Sequence, residues 1–195
     1  MFKILRKNRT LNSQAGFTLV EIAIVMVIIG LLIGGILKGQ EMIKNAKIKR
    51  VMKQVDEIRV AVTSYQDRYG FFPGDDNRAN TRPNGAGLTN GNGNGQIAGP
   101  EAPDMYMHLA AQNLISGTYT TAAASYPRNP FAGAYFVQYQ TISGRTSHWF
   151  NTTLIPGDVA DILDTSYDDG SFNTGTIRAA AAYDPNLNAT LSIEF

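Results

Sequence analysis

The chain contains no cysteine, so it has neither disulfide staples nor thiol chemistry. No proline precedes Pro73, so any kink in an N-terminal helix has to come from its glycines. No lysine follows Lys53, and residues 70–195 hold five basic against eleven acidic residues. A segment that rich in carboxylates is a poor candidate for binding nucleic acid through phosphate neutralisation. Histidine is scarce too: His108 falls in a predicted helix and His148 in a predicted strand, with no second ligand at metal-site spacing. No Gly-x-Ser-x-Gly elbow is present. Gly91-Asn92-Gly93-Asn94-Gly95 has no strand before it and no Gly-Lys-Ser/Thr after it, so it reads as a flexible surface loop rather than a phosphate cradle. These absences leave no constellation for catalysis, and the chain reads as a non-enzyme.

What is present sits at the N-terminus. Gln14-Ala15-Gly16-Phe17-Thr18-Leu19-Val20-Glu21 leads into an uncharged run from Ile22 to Leu37. Phe17 to Leu37 spans about 31 Å as a helix, enough for a hydrocarbon core of about 30 Å. Lys3, Arg6, Lys7 and Arg9 precede it without an acid, which favours a cytoplasmic N-terminus. The far flank is basic as well, from Lys38 to Lys53, so charge alone does not fix orientation. The run passes into Lys38-Gly39-Gln40-Glu41 without a small-x-small cleavage site, so the helix is expected to be retained. Glu21 has no evident partner nearby, and a carboxylate near a bilayer costs a few kcal/mol, which marks it as functional. Gly30-x-x-x-Gly34 and Gly35-x-x-x-Gly39 are spacings that let helices approach closely.

Gly16-Phe17-Thr18-Leu19-Val20-Glu21 behind a basic leader resembles the class III leader of type IV prepilins and of the pseudopilins of type II secretion. The close match covers about residues 10 to 70. The resemblance implies cleavage between Gly16 and Phe17 by a prepilin peptidase, which also N-methylates Phe17. It implies that Glu21 guides assembly with copies of itself or other pilins, and that the inner membrane and its assembly platform are partners. The implied location is the bacterial inner membrane, single-pass with the head in the periplasm, and then a pilus or pseudopilus filament. Many type IV pilins close their C-terminal region with a disulfide; this chain departs from that pattern, whereas pseudopilins often use a calcium-bound loop.

The expected organisation is a leader at 1–16, a transmembrane half-helix at 17–37, an amphipathic half at 38–69 and a globular pilin-like head at 70–195. Ile48, Val51, Val55, Ile58, Val62, Tyr65 and Tyr69 alternate three and four apart, one helical stripe that a head can cover. A helix from Phe17 to Tyr69 would reach about 80 Å and end at Gly70 and Pro73. The fold class is α+β, with the stem helix packed on an antiparallel sheet. Expected head elements are a helix over 101–115 closed by Gly117, strands at 134–142 and 145–153 around Ser143-Gly144, and a short helix at 158–163. Strands at 174–181 and 190–195 complete the set.

Asp164, Asp168, Asp169 and Asn173 lie in one polar stretch and offer the hard oxygen donors that calcium takes, although the spacing does not fit an EF-hand. The alternative is a polar turn with Asx-type capping. The reading as a whole is a minor-type pilin or pseudopilin, a structural subunit of a type IV pilus or type II secretion filament. The alternative is a monomeric signal-anchored periplasmic protein whose head binds a ligand.

Overall fold

The computed structural model describes residues 16–122 and 125–195. In chain order they form α1 (Leu19–Tyr69), a 3-10 turn (Ala79–Thr81), α2 (Glu101–Ala111), β1 (Tyr135–Ile142), β2 (Arg145–Pro156), α3 (Gly157–Tyr167), β3 (Ile177–Ala179) and β4 (Asn188–Glu194). The strands make one antiparallel sheet in the order β1-β2-β4-β3. A long N-terminal apolar helix followed by this sheet is the α+β, pilin-like architecture expected of the sequence. The chain divides into two compact units, with the boundary between Lys44 and Asn45 inside α1.

In the first unit the described residues are 16–18 and the start of α1. Its apolar side chains from Leu19 to Ile43 are exposed, and it is long and apolar enough to cross a membrane. In the second unit α1 behaves as the stripe dictates: Ile48, Val51, Val55, Ile58, Val62 and Tyr65 are buried and Tyr69 is half-buried. They share one core with Met105, Tyr106 and Leu109 of α2, Tyr135, Val137, Phe150 and Ile193 of the sheet, and Val159 and Leu163 of α3. Polar contacts fix the register of helix on sheet. Tyr135 donates its hydroxyl to Gln54 Oε1 at 3.0 Å, and Arg59 donates to the Glu194 carbonyl at 2.9 Å. Helix α1 ends where Gly70 takes a left-handed φ of 74°, its N–H still bonded to the Gln66 carbonyl at 2.7 Å.

The β1–β2 hairpin turns at Ser143 and Gly144, both with positive φ, as a two-residue primed turn requires. Other boundaries differ from the sequence reading. Helix α2 stops at Ala111 rather than Ile115, because Asn113 adopts a φ of 56°. Leu114 N–H then bonds the Leu109 carbonyl and Asn113 N–H bonds the Ala110 carbonyl, the paired bonds of a Schellman cap. Asparagine, not Gly117, ends this helix. Helix α3 runs to Tyr167, well past Leu163. Strand β3 keeps only Ile177–Ala179, because the N–H groups of Thr176 and Ile177 turn to the Asp168 carboxylate.

The segment expected to be a flexible loop is instead tied to the junction that leaves α1. Asp75 accepts N–H bonds from Asn94 at 2.9 Å and Gly95 at 2.7 Å through its carboxylate, and from Gly93 through its carbonyl. Asp76 takes Gly91 N–H on its carbonyl, and Glu101 accepts from Asn92 and Ala98. Ile97 is buried in the core.

Candidate processing and assembly site

Gly16 and Phe17 precede the helix and are exposed, so the bond between them lies on accessible, non-helical backbone. Thr18 is the N-cap. Its hydroxyl accepts the Glu21 N–H at 3.2 Å, while Glu21 Oε2 accepts both the Thr18 N–H and the Thr18 hydroxyl at 2.8 Å. This is a capping box, Thr-x-x-Glu, in which two N–H groups at the helix start are satisfied reciprocally. The carboxylate also stands at the positive end of the helix dipole. The expectation that Glu21 lacks a partner nearby is therefore corrected: Thr18, three residues back, holds it. Residues 1–15, most of the expected leader, lie outside the described residues.

The second candidate cluster lies beyond α3. Asp164, Asp168 and Asp169 each present a carboxylate oxygen within 4.8 Å of the others. Asp164 is buried, and burial raises its carboxyl above the ordinary range, against a lowering by the bonds that Tyr183 and Gly170 N–H donate. Asp168 Oδ2 accepts from Thr176 and Ile177 N–H. Asp169 accepts from the Thr174 hydroxyl and Ser171 N–H, and these bonds lower its carboxyl. The donor set suits a hard cation by chemistry. The same oxygens already serve as acceptors for the turn, which is how a polar Asx-type turn is built. Asn173, the fourth expected ligand, is exposed on that turn and is not one of the three grouped side chains.

Both histidines are structural. His108 is buried and accepts Gly74 N–H on Nδ1 at 2.9 Å, so its proton sits on Nε2, which donates to the Thr89 carbonyl at 2.8 Å. His148 accepts Ile97 N–H on Nε2 at 3.1 Å. Burial lowers the pKa of both rings, which keeps them neutral acceptors.

Sequence reasoning missed the buried carboxylate of Asp76. It accepts Arg82 Nε at 2.9 Å, Arg82 Nη2 at 3.2 Å, Tyr65 hydroxyl at 2.9 Å and Arg78 N–H at 2.9 Å. Burial alone would raise its pKa, but these donors outweigh it and the net direction is down. The Arg82 guanidinium also lies 4.6 Å from the centre of the Tyr69 ring. The cluster joins the end of α1 to the loop that leaves it.

No curated protein and no solved structure matches the chain. The description "prokaryotic N-terminal methylation motif" matches at residues 11–37, a stretch that contains Gly16, Phe17, Thr18, Glu21 and the whole uncharged run. Proteins with this motif are structural subunits cleaved by prepilin peptidase and assembled with other pilins, and an apolar N-terminal helix behind it fits membrane anchoring. At residues 11–37 the chain thus carries the signal motif of type IV pilins and pseudopilins.

Proposed function

We propose that this chain is a minor-type structural subunit of a type IV pilus or type II secretion filament. It is cut between Gly16 and Phe17, methylated on Phe17, held in the inner membrane by residues 17–37 with its head in the periplasm, and assembled through its N-terminal helix. Residues 1–16 are the leader, 38–69 the amphipathic half of the stem and 70–195 the head. The observation that carries this reading is a capped apolar helix, exposed from Leu19 to Ile43, that begins three residues after the motif glycine. Such a surface is satisfied first by lipid and then by the same helix of neighbouring subunits.

Glu21 supplies selectivity in that transfer. Cleavage frees an amine on Phe17, and a cation there compensates the carboxylate of a docked neighbour. Since Thr18 already satisfies part of the carboxylate, the precursor helix is capped before any partner arrives. If the head takes calcium, Asp164, Asp168, Asp169 and Asn173 would hold it, and the ion would neutralise the gathered carboxylates.

The absence of cysteine makes the test direct. One cysteine placed at Ile24, on the exposed apolar face, should yield oxidative dimers in cells where this subunit is the only copy, one thiol per chain joining two chains at most. The same dimers should appear in the sheared surface or periplasmic filament fraction. A chain that stays monomeric in the membrane in every such position would favour the signal-anchored binding protein instead.

A further inference from the structure

Four of the asparagines between Asn84 and Asn94 precede glycine: Asn84-Gly85, Asn90-Gly91, Asn92-Gly93 and Asn94-Gly95. All four asparagines are exposed. An Asn-Gly pair is the most reactive backbone sequence toward intramolecular deamidation, because glycine has no side chain to hinder its own nitrogen. In that reaction the glycine nitrogen attacks the asparagine Cγ, a C–N bond forms, and ammonia leaves. Water then opens the resulting succinimide at either carbonyl, giving aspartate or isoaspartate. The step needs a free glycine nitrogen and a side chain able to swing onto it.

Here every one of those four nitrogens is engaged. Gly85 N–H donates to the Arg82 carbonyl at 2.8 Å, Gly91 N–H to the Asp76 carbonyl at 2.9 Å, Gly93 N–H to the Asp75 carbonyl at 2.9 Å and Gly95 N–H to Asp75 Oδ2 at 2.7 Å. The electrophilic side chains are held too. Asn90 Oδ1 accepts Asn80 N–H, Asn92 Oδ1 accepts Asn94 N–H, Asn94 Oδ1 accepts Gln96 N–H, and Asn84 Nδ2 donates to the Ala111 carbonyl. At Gly91 the backbone is seated so closely on Gly74 and Asp75 that even a Cβ would run into their main chain.

We propose that this loop is a latent modification site: four asparagines whose deamidation is held off by Asp75, Asp76 and Arg82, and which convert once the loop leaves the end of the stem helix. Conversion is one-way. Each event adds a carboxylate to an already acidic segment, and each isoaspartate lengthens the main chain by one atom, which the close seat at Gly91 cannot accept. A long-lived subunit would thereby record any opening of this junction.

The test is peptide-mapping mass spectrometry with isoaspartate detection, on the full-length protein in detergent held at mildly alkaline pH, native and in urea. Native protein should deamidate at all four sites at least about tenfold more slowly than the urea-unfolded chain, the protection given by about 1.4 kcal/mol of opening free energy. Asp75→Ala should accelerate Asn94 while leaving Asn84, whose neighbour is held by Arg82, at the native rate. Equal rates in native and urea-unfolded protein would overturn the proposal, as would an Asp75→Ala protein whose Asn94 reacts no faster than wild type. The native-against-urea comparison needs no variant, so it decides even if Asp75→Ala opens the whole loop.

Discussion

Thr18 and Glu21 close a reciprocal capping box at the first turn of α1, with Glu21 Oε2 accepting the Thr18 N–H at 2.8 Å and Thr18 Oγ1 accepting the Glu21 N–H at 3.2 Å. One carboxylate therefore has two separable duties, a local one in the helix start and an electrostatic one between subunits.

Three substitutions separate those duties. Glu21→Gln keeps the box, since glutamine serves at that position, but loses the charge. Thr18→Ala keeps the charge and loses the cap, at a cost of about 1 kcal/mol of helix stability. Glu21→Ala loses both. Filament yield relative to cleaved membrane monomer should fall sharply for Glu21→Gln and Glu21→Ala and only modestly for Thr18→Ala. If Thr18→Ala abolished assembly while Glu21→Gln assembled normally, capping and not charge would be the duty that matters.

The Asp76 cluster should carry much of the stability of the junction. Asp76→Ala removes the acceptor of the Arg82 pair and strands the Tyr65 hydroxyl, and breaking a buried pair costs about 3–5 kcal/mol. Arg82 is partly exposed, so the lower end is expected. Tyr65→Phe removes one hydrogen bond and should cost about 1 kcal/mol. Trp149, the chain's one tryptophan and fully buried, gives the fluorescence readout for urea unfolding. Equal losses for both variants would mean that Arg82 contributes nothing.

The histidines set a pH dependence. Their folded pKa values are depressed by burial, so below the ordinary histidine pKa of about 6.5 the unfolded chain binds more protons than the folded one. Their contribution is complete above that value and is lost as pH falls beneath it, by at most about 1.4 kcal/mol per pH unit for each ring. Asp104, whose pKa burial raises, works the other way, and Asp76, held low, loses its contribution only at more acidic pH. Comparing wild type with a His108→Gln, His148→Gln double variant between about pH 7 and pH 5 isolates the rings. Parallel stability curves would remove them from the account.

Calcium offers a yes-or-no measurement on the cluster after α3. If Asp164, Asp168, Asp169 and Asn173 bind it, a hundredfold excess over Kd should add about 2.7 kcal/mol of stability, removed by chelator and absent when the carboxylates are replaced. A melting temperature indifferent to calcium and chelator leaves the polar turn alone.

Much of this was legible in the sequence where the signal is local or periodic. The Ile48–Tyr65 stripe announced its own burial because three-and-four spacing can only mean one helix face, and Ser143-Gly144 announced its hairpin because the primed turn demands those residue types. The capping box is equally local as Thr-x-x-Glu, a pattern that Thr18 and Glu21 carry in the sequence itself. What stayed hidden depends on distant partners. Nothing near Asp75 says that its oxygens will take N–H groups from Asn94 and Gly95, and nothing near His108 says that Gly74 will be its donor. Asn113 ended α2 through a left-handed residue that asparagine tolerates, a weaker signal than the glycine four residues on.

The central claim is processing before assembly, and intact-mass analysis of sheared filaments tests it most directly. The account predicts a chain of residues 17–195 bearing one methyl group on Phe17, and its loss when Gly16→Val blocks cutting. Assembled protein that still carries Met1 would contradict it.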